Sequence, residues 1–167
     1  GSIPVTTTLL GIGCIPDSHP MNMGMMGMHG EAAPNHAIQE ADLLIACGMR
    51  FDDRVTGNLK TYSPHSKKIH IDIDPSSINK NIVVDVPIYG DCAMVLEDFI
   101  RLWRSGAYRL PDLTAWWDQI ARWRAADCLA FEPQSDVIMP QQAIQRLFHQ
   151  QQCHCRGQRQ EQRPPDP

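Results

Sequence analysis

"DLLIACGMRFDDRVTG", residues 42–57, holds the strongest fold signal in the chain. After Asp42, residues 43–47 are a continuous apolar run closed by Gly48. A half-buried strand would alternate polar and apolar residues, so an unbroken short run predicts a strand covered on both faces. The polar, charged stretch 49–66 after it predicts an irregular segment. Downstream, "KKIHIDID" (67–74) is the next strand, stopped by Pro75, and "VPIYG" (86–90) is another. "DCAMVLEDFIRLW" (91–103) has apolar residues at helical spacing, with Asp91 as a plausible N-cap. Upstream, "VTTTLL" (5–10) is β-branched and bounded by Gly11 and Gly13, which predicts a strand. Residues 14–30 are rich in Gly, Pro and Met and predict a loop. "PNHAIQEA" (34–41) predicts a short helix with Pro34 in its first turn.

Strands and helices thus alternate over 5–103. This order predicts an α/β domain: a parallel sheet with helices on both faces. Ligands of such sheets bind at the carboxyl ends of the strands. Here those ends read "GIG", "GMRFDDR", "DID" and "GDC". After 104 the character changes. "RSGAYRLPD" predicts a linker, residues 113–131 and 139–148 predict amphipathic helices, and 149–167 contain no aliphatic or aromatic residue. The expected organisation is therefore a domain over 1–104, linker and helices over 105–148, and a disordered or aberrant tail over 149–167.

Composition narrows the function. The chain has 167 residues, 43% of them hydrophobic and 20% charged, with a net charge of -4. No basic stripe points to nucleic acid. No apolar run reaches membrane-spanning length, and the first residues lack a signal-peptide pattern. Cys14, Cys47, Cys92 and Cys128 are scattered, as in a reduced intracellular protein.

Several motifs are open to more than one use. "MNMGMMGMHG" (21–30) offers thioethers for copper(I), with His29 as a further ligand. Methionine is also an adaptable apolar filler, and glycines suit a backbone lying close to a partner. "GIGCIP" places Pro16 where a dinucleotide fingerprint needs its third glycine, and so predicts only a turn. Asp72 or Asp74 could bond a ribose hydroxyl or simply close a turn. Arg50, Asp52, Asp53 and Arg54 form either an internally paired loop or a grip on an anion. Cys153-His154-Cys155 has a zinc-like spacing with too few ligands.

Taken in order, "IPVTTTLLGIG", "HPMNMGMMGMHG", "DLLIACGMRFDDRVTGNL", "KKIHIDIDPSSINKN" and "VPIYGD" resemble the central domain of the acetohydroxyacid synthase (acetolactate synthase) large-subunit family. The resemblance covers residues 3 to about 103 and continues more weakly to about 148. It implies a Rossmann-like thiamine diphosphate enzyme domain that holds FAD. In the intact enzyme, thiamine diphosphate and Mg²⁺ would serve the condensation of pyruvate with a second pyruvate or 2-oxobutyrate, on the route to branched-chain amino acids.

The resemblance places the flavin contacts at Thr8, Leu9, Met26, Gly27, Met28, His29, Gly48, Met49, Arg50, Phe51, Asp52, Arg54, Asp72, Ile73, Asp91 and Cys92. It puts no catalytic residue and no metal ligand in this chain, and makes Met28, Asp53 and Arg54 candidate inhibitor neighbours. It further implies a homo-oligomer, a regulatory subunit, and a bacterial cytoplasmic or an organellar setting. Neither nucleic acid nor membrane is an expected partner. A first strand and the activating glutamate would precede residue 1, and the diphosphate-binding domain would follow 148. The departure after 148 suggests a truncated or frameshifted reading, or an engineered end, and a chain inactive alone. Two other readings stay open: another thiamine diphosphate carboligase or decarboxylase, and a soft-metal module built on Met21–Met28 and Cys153–Cys155.

Overall fold

The computed structural model describes residues 2–106, 111–133 and 136–161, with side chains through 150. The chain divides into two units, Gly1–Cys128 and Leu129–Pro167.

The first unit carries two parallel sheets. In one, β1 (Val5–Thr7) pairs with β2 (Asn22–Met25). In the other, the order is β3 (Leu43–Cys47), β4 (Lys67–Asp72), β5 (Val86–Tyr89). The register of the second sheet is regular, with Cys47 opposite Ile71 and Asp72 opposite Tyr89. The α/β class and parallel strands follow the sequence expectation, although the strands lie in two sheets rather than one. Helix α1 (Ala32–Glu40) packs on β2, and α3 (Cys92–Arg104) packs on β4. A four-residue helix, α2 (Asp53–Thr56), follows β3.

Two local expectations fail near the start. "VTTTLL" is a strand only to Thr7. Leu9–Gly11 is a turn of 3-10 helix that leaves Leu10 exposed. Within the expected loop 14–30, Asn22–Met25 is a strand. Its pairing slips between Val5↔Asn22 and Thr7↔Met25, so β2 carries an extra residue. Gly24, at φ 85°, provides the left-handed backbone of this bulge. A bulged glycine breaks the period-2 pattern from which a strand is read.

Two clusters hold the unit together. Met26, Ile38, Ala46, Phe51, Tyr62, Ile78 and Val84 form one. Met23, Ala37 and Ile120 form the other, with Trp116, Trp117 and Trp123 against it. Ile120 belongs to α4 (Thr114–Ala125), which packs on α1. Trp123 stacks on His36 with ring centroids 5.6 Å apart. Trp117 Nε1 donates to the Ser2 carbonyl at 2.7 Å, and Arg124 donates to the Asn22 carbonyl at 2.6 Å. The packed unit therefore extends through α4, past the change in composition at 104. Residues 107–110 of the expected linker lie outside the described residues.

In the second unit, α5 runs Pro140–Glu161. Helix thus continues through 149–161, where disorder was expected. Gln and Arg are good helix formers, so lack of apolar residues removes packing but not backbone propensity. Residues 162–167 lie outside the described residues. Among the described residues, no helix is long and apolar enough to cross a membrane.

Tyr62 lies in the core with its ring edge against Phe51, centroids 6.1 Å apart. Burial pushes its hydroxyl pKa up from 10.0 to about 12. The neutral phenol is therefore favoured by folding. Its contribution is complete below pH 10 and is lost as the pH rises toward 12. We expect alkaline unfolding to cost the wild type about 2 kcal/mol more than Tyr62→Phe over that window, read from urea midpoints.

Candidate functional site

Each site residue expected from the sequence lies at or just beyond the carboxyl end of a strand. Thr8 and Leu9 follow β1, Met26–His29 follow β2, and Gly48–Arg54 follow β3. Asp72 ends β4 and Ile73 follows it, while Asp91 and Cys92 open α3 after β5. The β2 and β3 ends are tied together. Met28 N donates to the Arg54 carbonyl at 2.8 Å, and an Arg54 guanidinium nitrogen lies 3.8 Å from the Met28 sulfur.

Gly27 is the hinge of the methionine loop. It is buried at φ 96°, and a Cβ there would stand 2.7 Å from the Arg54 carbonyl oxygen. Asn35 of α1 grips it from both sides: Gly27 N donates to Asn35 Oδ1 at 2.8 Å, and Asn35 Nδ2 donates to the Gly27 carbonyl at 2.9 Å. Sequence reasoning missed Asn35. Its only signal was an amide-bearing residue on the helix following a glycine-rich loop.

The side chains of the set divide into outward and inward groups. Leu9, Met28 and Ile73 are 70%, 61% and 72% exposed, an unusual apolar display at strand ends. Arg50 is exposed and pairs with Asp52 at 2.9 Å. Its carbonyl accepts from Asn81 Nδ2 at 2.9 Å, which anchors the backbone while the guanidinium stays outside. Met26 and Phe51, by contrast, are buried in the core. Phe51 sits at φ 52°, a strained conformation for a bulky residue. Its ring is held edge-on to His70, centroids 5.1 Å apart. These two residues can meet a ligand only through backbone atoms.

The carboxylates are already employed. Asp72 Oδ1 accepts from Asp74 N at 2.8 Å, and Asp72 Oδ2 lies 3.7 Å from Nε2 of the wholly buried His70. Asp74 accepts from Ser76 N and from the Ser76 and Ser77 hydroxyls, and these bonds, led by the Ser76 backbone, hold its pKa below the usual carboxylate range. Asp91 caps α3, accepting from Ala93 N at 2.8 Å and Met94 N at 3.3 Å. The turn-closing role weighed for Asp72 and Asp74 is thus present in both.

The methionines do not converge as a soft-metal site requires: Met23 and Met26 enter separate core clusters. Among the described residues, no three His, Cys, Asp or Glu side chains are grouped to hold a metal ion. The side chains of Cys153 and Cys155 lie outside the described residues. A cleft of about 330 Å³ lies elsewhere, lined by Ser2, Ile3, Leu113 and Trp117 among others, and includes none of the site residues.

Residues 1–99 match the family model described as thiamine pyrophosphate enzyme, central domain. The acetolactate synthase large subunit of Haemophilus influenzae is 45% identical over 148 residues, covering 88% of this chain and 26% of that protein. The acetolactate synthase of Mycobacterium leprae is 46% identical over 149 residues, 87% of this chain and 24% of its own. A probable acetolactate synthase large subunit of Methanocaldococcus jannaschii is 43% identical over 146 residues, 87% and 24%. The chain thus spans about a quarter of the length of the curated relatives it matches. With strand order, strand-end motifs and family pattern in agreement, the chain belongs to the thiamine pyrophosphate enzyme central-domain family.

Proposed function

We propose that this chain supplies the FAD-binding central domain, and part of the substrate channel, of an acetolactate synthase large subunit. The observation that carries the reading is that Leu9, Met28 and Ile73 are each exposed at or just beyond a strand end, as is the Arg50 guanidinium. A flat ring system would cover the apolar side chains, and an anionic diphosphate would take the guanidinium. The residues fit FAD in that sense. Thr8, Leu9, Met28, His29, Arg50, Arg54 and Ile73 would hold it by side chain or backbone; Met26, Gly27, Gly48, Met49, Phe51 and Asp52 would do so through the loop backbone. Asp72, Asp91 and Cys92 would line the adenosine side.

Thiamine diphosphate would supply carbanion chemistry to the intact enzyme. What this domain contributes is binding, orientation and exclusion of water. Pyruvate and 2-oxobutyrate as substrates, a homo-oligomer, a regulatory subunit to match the "large subunit" relatives, and a bacterial cytoplasmic setting belong to the same proposal.

FAD titration of the 167-residue chain tests it. We expect saturable quenching of flavin fluorescence, weakened about tenfold or more by Arg50→Ala through loss of a charge-assisted contact. A folded chain that leaves FAD fluorescence unchanged would overturn the reading.

A further inference from the structure

Two thiols of this chain meet where the second sheet ends. Cys47 is the last residue of β3, and Cys92 is the first residue of α3. The ladder places Cys47 opposite Ile71. The Cys92 sulfur reaches the carbonyl oxygen of that same Ile71 at 3.6 Å, and Gly48 N donates to it at 2.8 Å. A Cβ on Gly48 would stand 3.8 Å from the Cys92 sulfur. Three elements therefore converge on one carbonyl, with a thiol from each flank. Burial first, then the neighbouring thiol, pushes the Cys47 pKa up. Burial, then Asp72 and Asp91, pushes the Cys92 pKa up. Cys47 is also on the open edge of its sheet, where a small oxidant can reach it.

We propose that Cys47 and Cys92 are a dithiol modification site that closes to an intramolecular disulfide when oxidised glutathione or a comparable two-electron thiol oxidant is present. Deprotonated Cys47 attacks one sulfur of oxidised glutathione, and one glutathione leaves. Cys92, losing its proton, then attacks the Cys47 sulfur of the mixed disulfide, and the second glutathione leaves. Two protein thiols are oxidised by two electrons, and one glutathione disulfide is reduced to two thiols. The new bond would staple the end of β3 to the start of α3.

The test treats the full chain with oxidised glutathione, blocks the remaining thiols and maps peptides without reduction. Cleavage after Glu31 and Glu40 separates Cys14 from Cys47, and cleavage after Arg50 separates Cys47 from Cys92. The expected product is a Cys47–Cys92 cross-linked peptide, lighter by two hydrogens and lost on reduction. It should persist in a chain with Cys14, Cys128, Cys153 and Cys155 all changed to Ser. The melting temperature should rise by several degrees on oxidation and return on reduction. Glutathione retained on Cys47 with Cys92 free would overturn the proposal, as would cross-links only to other cysteines. Because the mapping uses the unsubstituted chain, misfolding of the Ser variant leaves the test intact.

Discussion

Gly27→Ala should destabilise the first unit by about 3 to 5 kcal/mol, a fall in melting temperature on the order of 10 °C for a chain of this size. Two costs add. An alanine at φ 96° pays for a backbone conformation that L side chains rarely adopt. Its Cβ would also press on the Arg54 carbonyl oxygen from 2.7 Å and on the Val55 Cα from 3.2 Å. Those are backbone atoms of α2, not the movable end of a side chain, so the strain must be met by shifting one loop away from the other. The Met28–Arg54 hydrogen bond lies in the path of that shift. Asn35→Ala should reproduce part of the effect, about 1 to 3 kcal/mol, because both bonds to Gly27 are lost, leaving its buried N–H unpaired and its carbonyl only the Gly30 N–H. Thermal denaturation of the three chains checks the order wild type, Asn35→Ala, Gly27→Ala. An alanine at 27 that melts with the wild type would mean the loop is not locked to α2.

The ease of reading differs from segment to segment for physical reasons. β3, β4, β5 and α3 were legible as elements because an apolar run or a helical period belongs to a single segment, but the two-sided cover expected of β3 is absent, with Leu43, Ile45 and Cys47 exposed. "LLIAC" and "KKIHID" carry their own signal, and Asp91 caps α3 as its position suggested. β2 was not legible, because its existence depends on pairing with β1 and its bulge at Gly24 erases the alternation. The place of α4 was hidden too. Its tryptophans show an amphipathic helix, but only the tertiary partners His36, Ser2 and Asn22 show that it closes over α1 and β2. At the candidate site, sequence order put Gly48–Arg54, Asp72, Ile73, Asp91 and Cys92 at strand ends, but it ran Thr8 and Leu9 inside a strand and left Met26–His29 in a loop with no strand before it. It could not separate outward Leu9, Met28 and Arg50 from inward Met26 and Phe51. That distinction depends on loop dihedrals, above all the left-handed turn at Phe51, which no apolar pattern encodes.

Lys68→Met should cost about 3 to 4 kcal/mol, although it replaces a buried charge with an apolar chain of similar length. The Lys68 ammonium is buried and donates to the Ser63 carbonyl at 2.9 Å and the Ser66 carbonyl at 3.0 Å. Those carbonyls belong to the turn that delivers the chain into β4. Ser63 is itself fully buried, its hydroxyl donating to the Ile38 carbonyl at 2.5 Å and its N–H to Gln39 Oε1 at 2.9 Å. The lysine thus closes a polar network that fastens the turn to the end of α1. Exchange of both partners for apolar groups could be neutral, but the backbone carbonyls cannot be exchanged, so methionine strands the Ser66 carbonyl and leaves that of Ser63 only the longer bonds from Ser66. Lys68→Arg should recover little, since a planar fork replaces a compact ammonium in a fixed cage. Urea midpoints measured at one pH decide the matter. If Lys68→Met unfolds within about 0.5 kcal/mol of the wild type, the carbonyls have found water, and the turn is held by Ser63 alone.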